Sequence, residues 1–107
     1  MIISNIKNFK NGWMIGNFEP SLLKTQNFEV GVHVYLKNFR GDKHYHTIST
    51  EFNYIINGEV IINGNTLSTG DIFVLEPNEI SESAFLEDTT ILVVRNFSDP
   101  QDKYIVN

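Results

Sequence analysis

Short stretches that alternate apolar and polar residues, separated by turn residues, run through most of this chain. The clearest are Phe28–Leu36, Glu51–Ile56, Glu59–Ile62, Ile72–Leu75 and Thr90–Arg95. No segment keeps apolar residues at helical spacing for three turns, so long helices are not expected. Strands that recur about every 8–12 residues with turns between them are typical of an antiparallel sandwich or barrel. We therefore predict an all-β fold.

Two Asn-Gly pairs mark sharp turns between these stretches. Asn57-Gly58 separates Glu51–Ile56 from Glu59–Ile62, and Asn63-Gly64 follows directly. Both positions of such a pair tolerate positive φ, which makes Asn-Gly the strongest short signal for a β-hairpin. The first pair therefore predicts a hairpin between the two stretches that it separates.

The length of 107 residues suits one domain with one hydrophobic core. We predict a single domain over residues 1–107. Within it, residues 28–95 form the barrel, residues 1–27 contribute edge strands or a lid, and residues 96–107 form a surface arm.

Composition excludes several classes of protein. The absence of cysteine excludes a disulfide scaffold, a thiolate metal site and a cysteine nucleophile. The longest apolar runs have four residues, too few to span a membrane. At the N-terminus Asn5 and Lys7 interrupt any apolar signal segment, so we expect a cytoplasmic protein. The net charge of −5 argues against nucleic acid as a partner.

Two histidines are candidate metal ligands. His44 and His46 are two residues apart, so on a strand both side chains project from the same face. A hairpin could bring Glu51 back over them. Two neutral imidazoles and one carboxylate suit Zn, Fe, Mn or Ni better than Ca or Mg. The pattern alone also fits strand histidines that face solvent or pack against aromatic residues.

Strand parity suggests which other side chains face the candidate site. If Glu51 points inward, Asn53 and Ile55 do so too, while Phe52, Tyr54 and Ile56 face the opposite side. In Phe28–Leu36 one face is purely aliphatic: Val30, Val32, Val34 and Leu36. We expect that face to pack between two sheets or against N-terminal residues such as Trp13.

The other face of the same stretch carries His33 and Tyr35. It lines the pocket or meets solvent. In the pocket, His33 would be a candidate general base and Tyr35 a hydrogen-bond donor to substrate. A lone strand histidine is more often a surface residue or one satisfied by its neighbours.

The spacing of His44, His46, Glu51 and Gly58 resembles the first signature of the cupins, a His-x-His pair followed by Glu and Gly. The second cupin signature is matched in part over residues 70–81. There the Gly-Asp start and apolar strand are present, Pro77 comes one position late and Asn78 replaces the turn glycine. The resemblance implies a double-stranded β-helix, also called a jelly roll.

The resemblance also implies a metal site formed by His44, His46 and Glu51. Ser81 stands where cupins usually place a third histidine ligand. Glu82, Glu79 or water could replace that ligand, and a bulge would have to turn one of these carboxylates inward. Of the two, Glu82 is the preferred substitute.

These expectations lead to three functions. The first is a metal-binding cupin whose pocket takes a small oxygen-rich ligand, a sugar derivative or keto acid, and isomerises or epimerises it by Lewis-acid catalysis. The second is a non-haem Fe(II) dioxygenase with the same ligands. The third is a non-catalytic module that binds a small molecule. We also expect a homodimer that pairs through N-terminal strands or one sheet face, because exposed strands need covering.

Overall fold

A computed structural model describes all 107 residues. Most of its secondary-structure elements are strands. The strands are β1 (Trp13–Ile15), β2 (Phe28–Tyr35), β3 (His44–Tyr45), β4 (Glu51–Asn57), β5 (Glu59–Ile62), β6 (Asn65–Ser68), β7 (Ile72–Leu75), β8 (Ser83–Phe85), β9 (Thr89–Asn96) and β10 (Tyr104–Ile105). The only helical segments are two 3₁₀ turns, Ile6–Asn8 and Lys10–Gly12. Neither could cross a membrane.

Two antiparallel sheets form the body of the protein. The larger has the order β1-β2-β9-β4-β7, the smaller β6-β5-β8, and β3 pairs with β10 in a separate ribbon. Between the two sheets lies the hydrophobic core, Ile55, Val60, Ile62, Phe85, Ile91 and Val93. The prediction of an all-β fold is confirmed, and β1 lies at one edge of the larger sheet.

The two Asn-Gly pairs have different structures. Asn63 and Gly64, at φ 48° and 80°, connect β5 and β6 in a tight hairpin. The hairpin predicted at Asn57-Gly58 is wrong, because β4 and β5 belong to different sheets. At Gly58 the chain instead passes from one sheet to the other with φ 122°, against the backbone of Asp88 and Thr89. The buried side chains on either side of this corner therefore enter the same core.

The C-terminal residues are part of the fold. The hairpin that could have joined β3 to β4 is not formed. Instead β3 pairs with β10, where Tyr104 faces Tyr45 and Ile105 faces His44. Asp102, just before β10, is buried. Most of residues 96–107 lie at the surface, and the backbone and Asp102 attach the segment to the body by completing the hydrogen bonding of β3 and the loop after it.

Strand β2 presents the opposite face from the one predicted. Val34 and Leu36 are 68% and 67% exposed, whereas His33 and Tyr35 point between the sheets. The face with His33 and Tyr35 points inward because its aromatic rings fill the wide space between the two sheets. Tyr35 stacks on Phe85, with 4.3 Å between ring centroids.

The outward side of the larger sheet carries no charged side chain. As predicted, Phe52, Tyr54 and Ile56 lie on this side, opposite the inward Glu51, Asn53 and Ile55. Strand register adds their neighbours. We call this surface the outer face: Val30, Val32, Val34, Phe52, Tyr54, Ile56, Ile72, Val74, Thr90, Leu92 and Val94.

Candidate functional site

A cavity of about 990 Å³ opens between the two sheets. The inner face of the larger sheet forms one wall, and the N-terminal residues around Trp13 contribute to another. Its polar side chains include Glu29, His33, His44, Glu51, Asn53 and Arg95, and its aromatic ones Trp13, Tyr35, Phe39, Phe73 and Phe85. Such a mixture of apolar walls and a few convergent polar groups is typical of small-molecule sites.

His46 lies behind this cavity with one ring nitrogen satisfied and the other free. Nδ1 donates to the backbone carbonyl of Asp102, and since a carbonyl can only accept, this bond places the proton on Nδ1. Nε2 is buried and has no hydrogen-bond partner. Burial, helped by the nearby charge of Arg95, lowers the pKa of His46. The neutral ring therefore presents an unshared lone pair at Nε2.

His44 is oriented in the same way. Its Nδ1 donates to the carbonyl of Asp42 at 2.6 Å, which leaves the lone pair on Nε2. Its backbone forms a two-bond bridge with Ser81. The rings of His44 and His46 are nearly perpendicular, with centroids 5.3 Å apart. Backbone carbonyls that fix the tautomer are the usual support of metal-binding histidines.

Glu51 starts β4, and its buried carboxylate faces both a histidine and an arginine. Oε2 lies 3.5 Å from Nε2 of His46, too far for a good hydrogen bond. The same oxygen accepts from Nε of Arg95 at 3.1 Å. Glu51 is therefore held by a guanidinium next to the histidines.

These three residues fit a transition metal in donor type, both histidines have the required tautomer, and His46 and Glu51 are buried. The buried Nε2 of His46, without a partner, is the observation that supports this fit. As the side chains stand, however, no group of three His, Asp or Glu is close enough together to hold an ion. The bond of Glu51 to Arg95 gives a physical reason for this. The assignment of His44, His46 and Glu51 as metal ligands stays a prediction.

Sequence reasoning missed Arg95 and Glu29. Arg95 pairs in register with Glu29 on β2 and with Glu51 on β4, so the three lie in one row across the sheet. Nη1 of Arg95 lies 3.4 Å from Oε1 of Glu29. Burial raises the pKa of Glu29, although Arg95 opposes the shift. One signal was available, since Arg95 continues the inward alternation of Ile91 and Val93.

The substitutes considered for the fourth ligand do not reach the cavity. Glu79 and Glu82 are exposed: Oε1 of Glu79 accepts from the backbone of Glu76, and the backbone of Glu82 donates to Asn63. The preference for Glu82 is therefore wrong. Ser81 is buried and lines the cavity beside His44. Asn78, at φ 69°, adopts the backbone conformation expected where the family has glycine.

His33 and Tyr35 line the cavity, which resolves the alternative that the sequence left open. The His33 ring packs edge-on against Trp13, with centroids 4.5 Å apart. Burial lowers the pKa of His33 and raises that of Tyr35. Both side chains are thus neutral near pH 7, and both stand ready to exchange hydrogen bonds with a ligand.

Comparison with known proteins gives matches of structure only. No family model matches the sequence. No curated protein matches it with significance. An uncharacterized conserved protein with a double-stranded β-helix domain from Klebsiella pneumoniae is 20% identical, with a TM-score of 0.67 over 77% of this chain and 72% of the other.

Two further structures have the same fold. A sugar phosphate isomerase from a cupin superfamily, from Silicibacter pomeroyi, is 18% identical, with a TM-score of 0.62 over 76% of this chain and 57% of its own. The pirin YhhW of Escherichia coli in complex with nickel(II) is also 18% identical, with a TM-score of 0.65 over 83% of this chain and 41% of its own. The chain therefore adopts a double-stranded β-helix fold, the fold that the resemblance of its sequence implied.

Proposed function

We propose that this protein is a metal-binding cupin whose cavity takes a small oxygen-rich ligand, a sugar derivative or a keto acid, and isomerises or epimerises it. The ligands of the metal, a divalent ion such as Zn, Fe, Mn or Ni, are His44, His46 and Glu51. The observation that carries the proposal is the buried, unpartnered Nε2 of His46, which faces Glu51. A buried lone pair without a partner is costly unless something binds it.

A bound metal would polarise a ligand carbonyl and hold two neighbouring oxygen atoms. The residues of this chain supply the rest. Trp13, Phe73 and Phe85 keep water from one side of the cavity. His33, neutral because burial lowers its pKa, can accept a proton from a ligand carbon or hydroxyl. Asn53, buried on the same wall as Glu51, offers its amide to ligand oxygens.

The nickel(II) complex of the E. coli pirin shows that a protein of this fold binds such an ion, and this supports the choice of a transition metal. The Fe(II) dioxygenase remains the second candidate, because two histidines and one carboxylate form the facial triad of that chemistry. A module that only binds its ligand is the third.

The metal site is tested by elemental analysis of protein purified without chelator. Wild type is compared with a His44→Gln/His46→Gln variant and with His33→Gln, which changes a cavity histidine outside the proposed site. We expect about one metal ion per chain in wild type and in His33→Gln, and almost none in the double variant. Equal metal in all three would contradict the assignment.

The reaction is tested on the metal-loaded protein. Uptake of solvent deuterium by a sugar derivative or keto acid, without consumption of oxygen, would support isomerisation. Oxygen uptake that requires Fe(II) would identify the dioxygenase instead. Thermal stabilisation by a ligand that is never converted would identify a binding module.

For assembly, we propose a homodimer in which two copies pack outer face to outer face. The eleven uncharged side chains of this face form one continuous patch of about 360 Å² in projection at ordinary strand spacing, within the size range of apolar patches that mark interaction sites. Ile72, at 69% exposed, and Tyr54, at 42%, leave much apolar area in water. A second copy suits the surface because two uncharged sheet faces pack as in a β-sandwich, about 10 Å apart.

A further inference from the structure

Arg95 is the one cation among the buried carboxylates of the cavity. The strand order β2-β9-β4 places it between Glu29 and Glu51. Nε contacts Glu51 at 3.1 Å, Nη1 contacts Glu29 at 3.4 Å, and the guanidinium lies over the Trp13 ring, 5.0 Å from its centroid. Arg95 thus has three separate attachments.

Only one of the three attachments involves the proposed metal site. The oxygen of Glu51 that accepts from Arg95 is also the oxygen that faces Nε2 of His46. A metal ion held by His46 and Glu51 would be coordinated by this oxygen. The oxygen is now hydrogen-bonded to the guanidinium, so the two cations compete for it. The metal ion would also be a second cation within a few ångströms of Arg95, where two positive charges repel each other.

The other two attachments do not depend on Glu51. If the guanidinium leaves Glu51, it keeps the carboxylate of Glu29 and the face of Trp13, both of which stabilise a cation. Glu29 is only 5% exposed and would otherwise be an unpaired buried acid. The cavity therefore offers Arg95 a second position that costs it only one hydrogen bond.

We propose that Arg95 is an internal cation that competes with the metal ion for Glu51, so that metal binding displaces the guanidinium onto Glu29 and Trp13. The inference rests on the proposed metal site. It accounts for a donor set that fits a metal although its three side chains are not gathered around one point. In the metal-free protein the guanidinium fills the electrostatic role of the ion and keeps Glu51 paired.

The test measures binding of Zn²⁺ alone by calorimetry. Arg95→Gln should bind Zn²⁺ about tenfold more tightly than wild type, because Glu51 is then free. This variant also makes the cavity more negative, which by itself favours a cation. The double variant Arg95→Gln/Glu29→Gln removes one charge of each sign and leaves the total unchanged, so tighter binding there reports the release of Glu51. Arg40→Gln, an exposed arginine, is the control and should bind like wild type.

Fluorescence gives a second reading that does not depend on affinity. Trp13 is the only tryptophan, and Zn²⁺ itself does not quench it. Displacement of Arg95 should change the Trp13 emission of wild type and of Arg40→Gln on Zn²⁺ addition. In Arg95→Gln the change should be lost although zinc still binds.

Each outcome decides the inference. Tighter binding in Arg95→Gln alone would reflect only the change of charge and would overturn it. Tighter binding in both Arg95 variants supports it, as does binding in these variants when wild type binds no zinc. Wild-type binding with equal or weaker affinity in both Arg95 variants overturns it but leaves the metal site intact. If no variant binds zinc, both the inference and the proposed zinc-binding site are rejected.

Discussion

Nδ1 of His46 is hydrogen-bonded to the backbone carbonyl of Asp102, 56 residues further along the chain. The side chain of Asp102 also binds the residues that directly follow His46. Its carboxylate accepts from the backbone of Thr47 at 2.9 Å, the hydroxyl of Thr47 at 2.6 Å and the backbone of Ile48 at 3.1 Å. One residue near the C-terminus therefore fixes both the ring of His46 and the loop that follows it.

Replacement of Asp102 by alanine should destabilise the fold and loosen the candidate site. Two backbone donors and one hydroxyl would lose their acceptor in a partly buried position, at a cost of about 1–3 kcal/mol in the free energy of unfolding. Urea denaturation measures the loss. Asp99→Ala is the matched control, because Asp99 is exposed and accepts only one local bond; it should change the value by less than about 0.5 kcal/mol. Equal effects of the two substitutions would contradict the role given to Asp102.

Stability should fall in mild acid, and part of that fall should come from His33. Burial lowers the pKa of its ring, with Arg95 adding to the shift, while Glu51 and a backbone bond to Asn11 oppose it. The unfolded chain then binds a proton below its usual pKa of about 6.5 while the folded chain does not, so stability present at pH 7 is lost as the pH falls toward the folded-state pKa. His33→Gln should show a smaller loss between pH 7 and pH 5 in urea titrations. An identical loss would remove His33 from the explanation.

The outer face should hold two copies together in solution. Tyr54→Lys introduces a charge between Leu92 and Ile72, its register partners on either side. An unpaired charge in a buried apolar interface is strongly unfavourable, so we expect this variant to be a folded monomer. Light scattering at micromolar concentration measures the mass. Leu22→Lys, at an exposed apolar residue off this face, should remain dimeric like wild type. A monomeric wild type would refute the proposal.

Two glycines at turns should respond differently to alanine. At Gly58 a Cβ would lie 2.6 Å from Cα of Thr89 and 2.7 Å from the carbonyl of Asp88, with φ at 122°. At Gly64 φ is also positive, but no atom lies within 4 Å. Gly64→Ala should cost about 1 kcal/mol from backbone strain alone, and Gly58→Ala about 2–4 kcal/mol because the sheets must also shift. Similar costs in urea denaturation would mean that the corner can relax.

The Asn-Gly pairs show how far local sequence could predict the fold. The same dipeptide forms a hairpin at residue 63 and a corner between sheets at residue 57. Local conformational preference is equal at both positions. The difference comes from the packing of Gly58 against the start of β9, some thirty residues further along the chain. The sequence of the dipeptide does not indicate this contact.

The sequence singled out the candidate residues but not their neighbours. Spacing and family resemblance pointed to His44, His46 and Glu51, whose role as metal ligands stays a prediction. Arg95 and Glu29 become neighbours of Glu51 only through the strand order of the larger sheet, and alternation within one strand does not reveal that order. The expectation that the aliphatic side of β2 faces inward was wrong for a related reason. Apolar residues can also face outward when a large aromatic cluster fills the interior.

The pairing of β3 with β10 has a practical consequence for anyone who shortens this protein. Deletion of the last seven residues would look harmless on a sequence diagram, because the segment is short and follows Pro100. It would nevertheless remove the carbonyl that accepts from Nδ1 of His46 and leave β3 without its partner strand. A trimmed version that crystallises well could therefore misrepresent the histidine geometry, and the intact chain is the form to study.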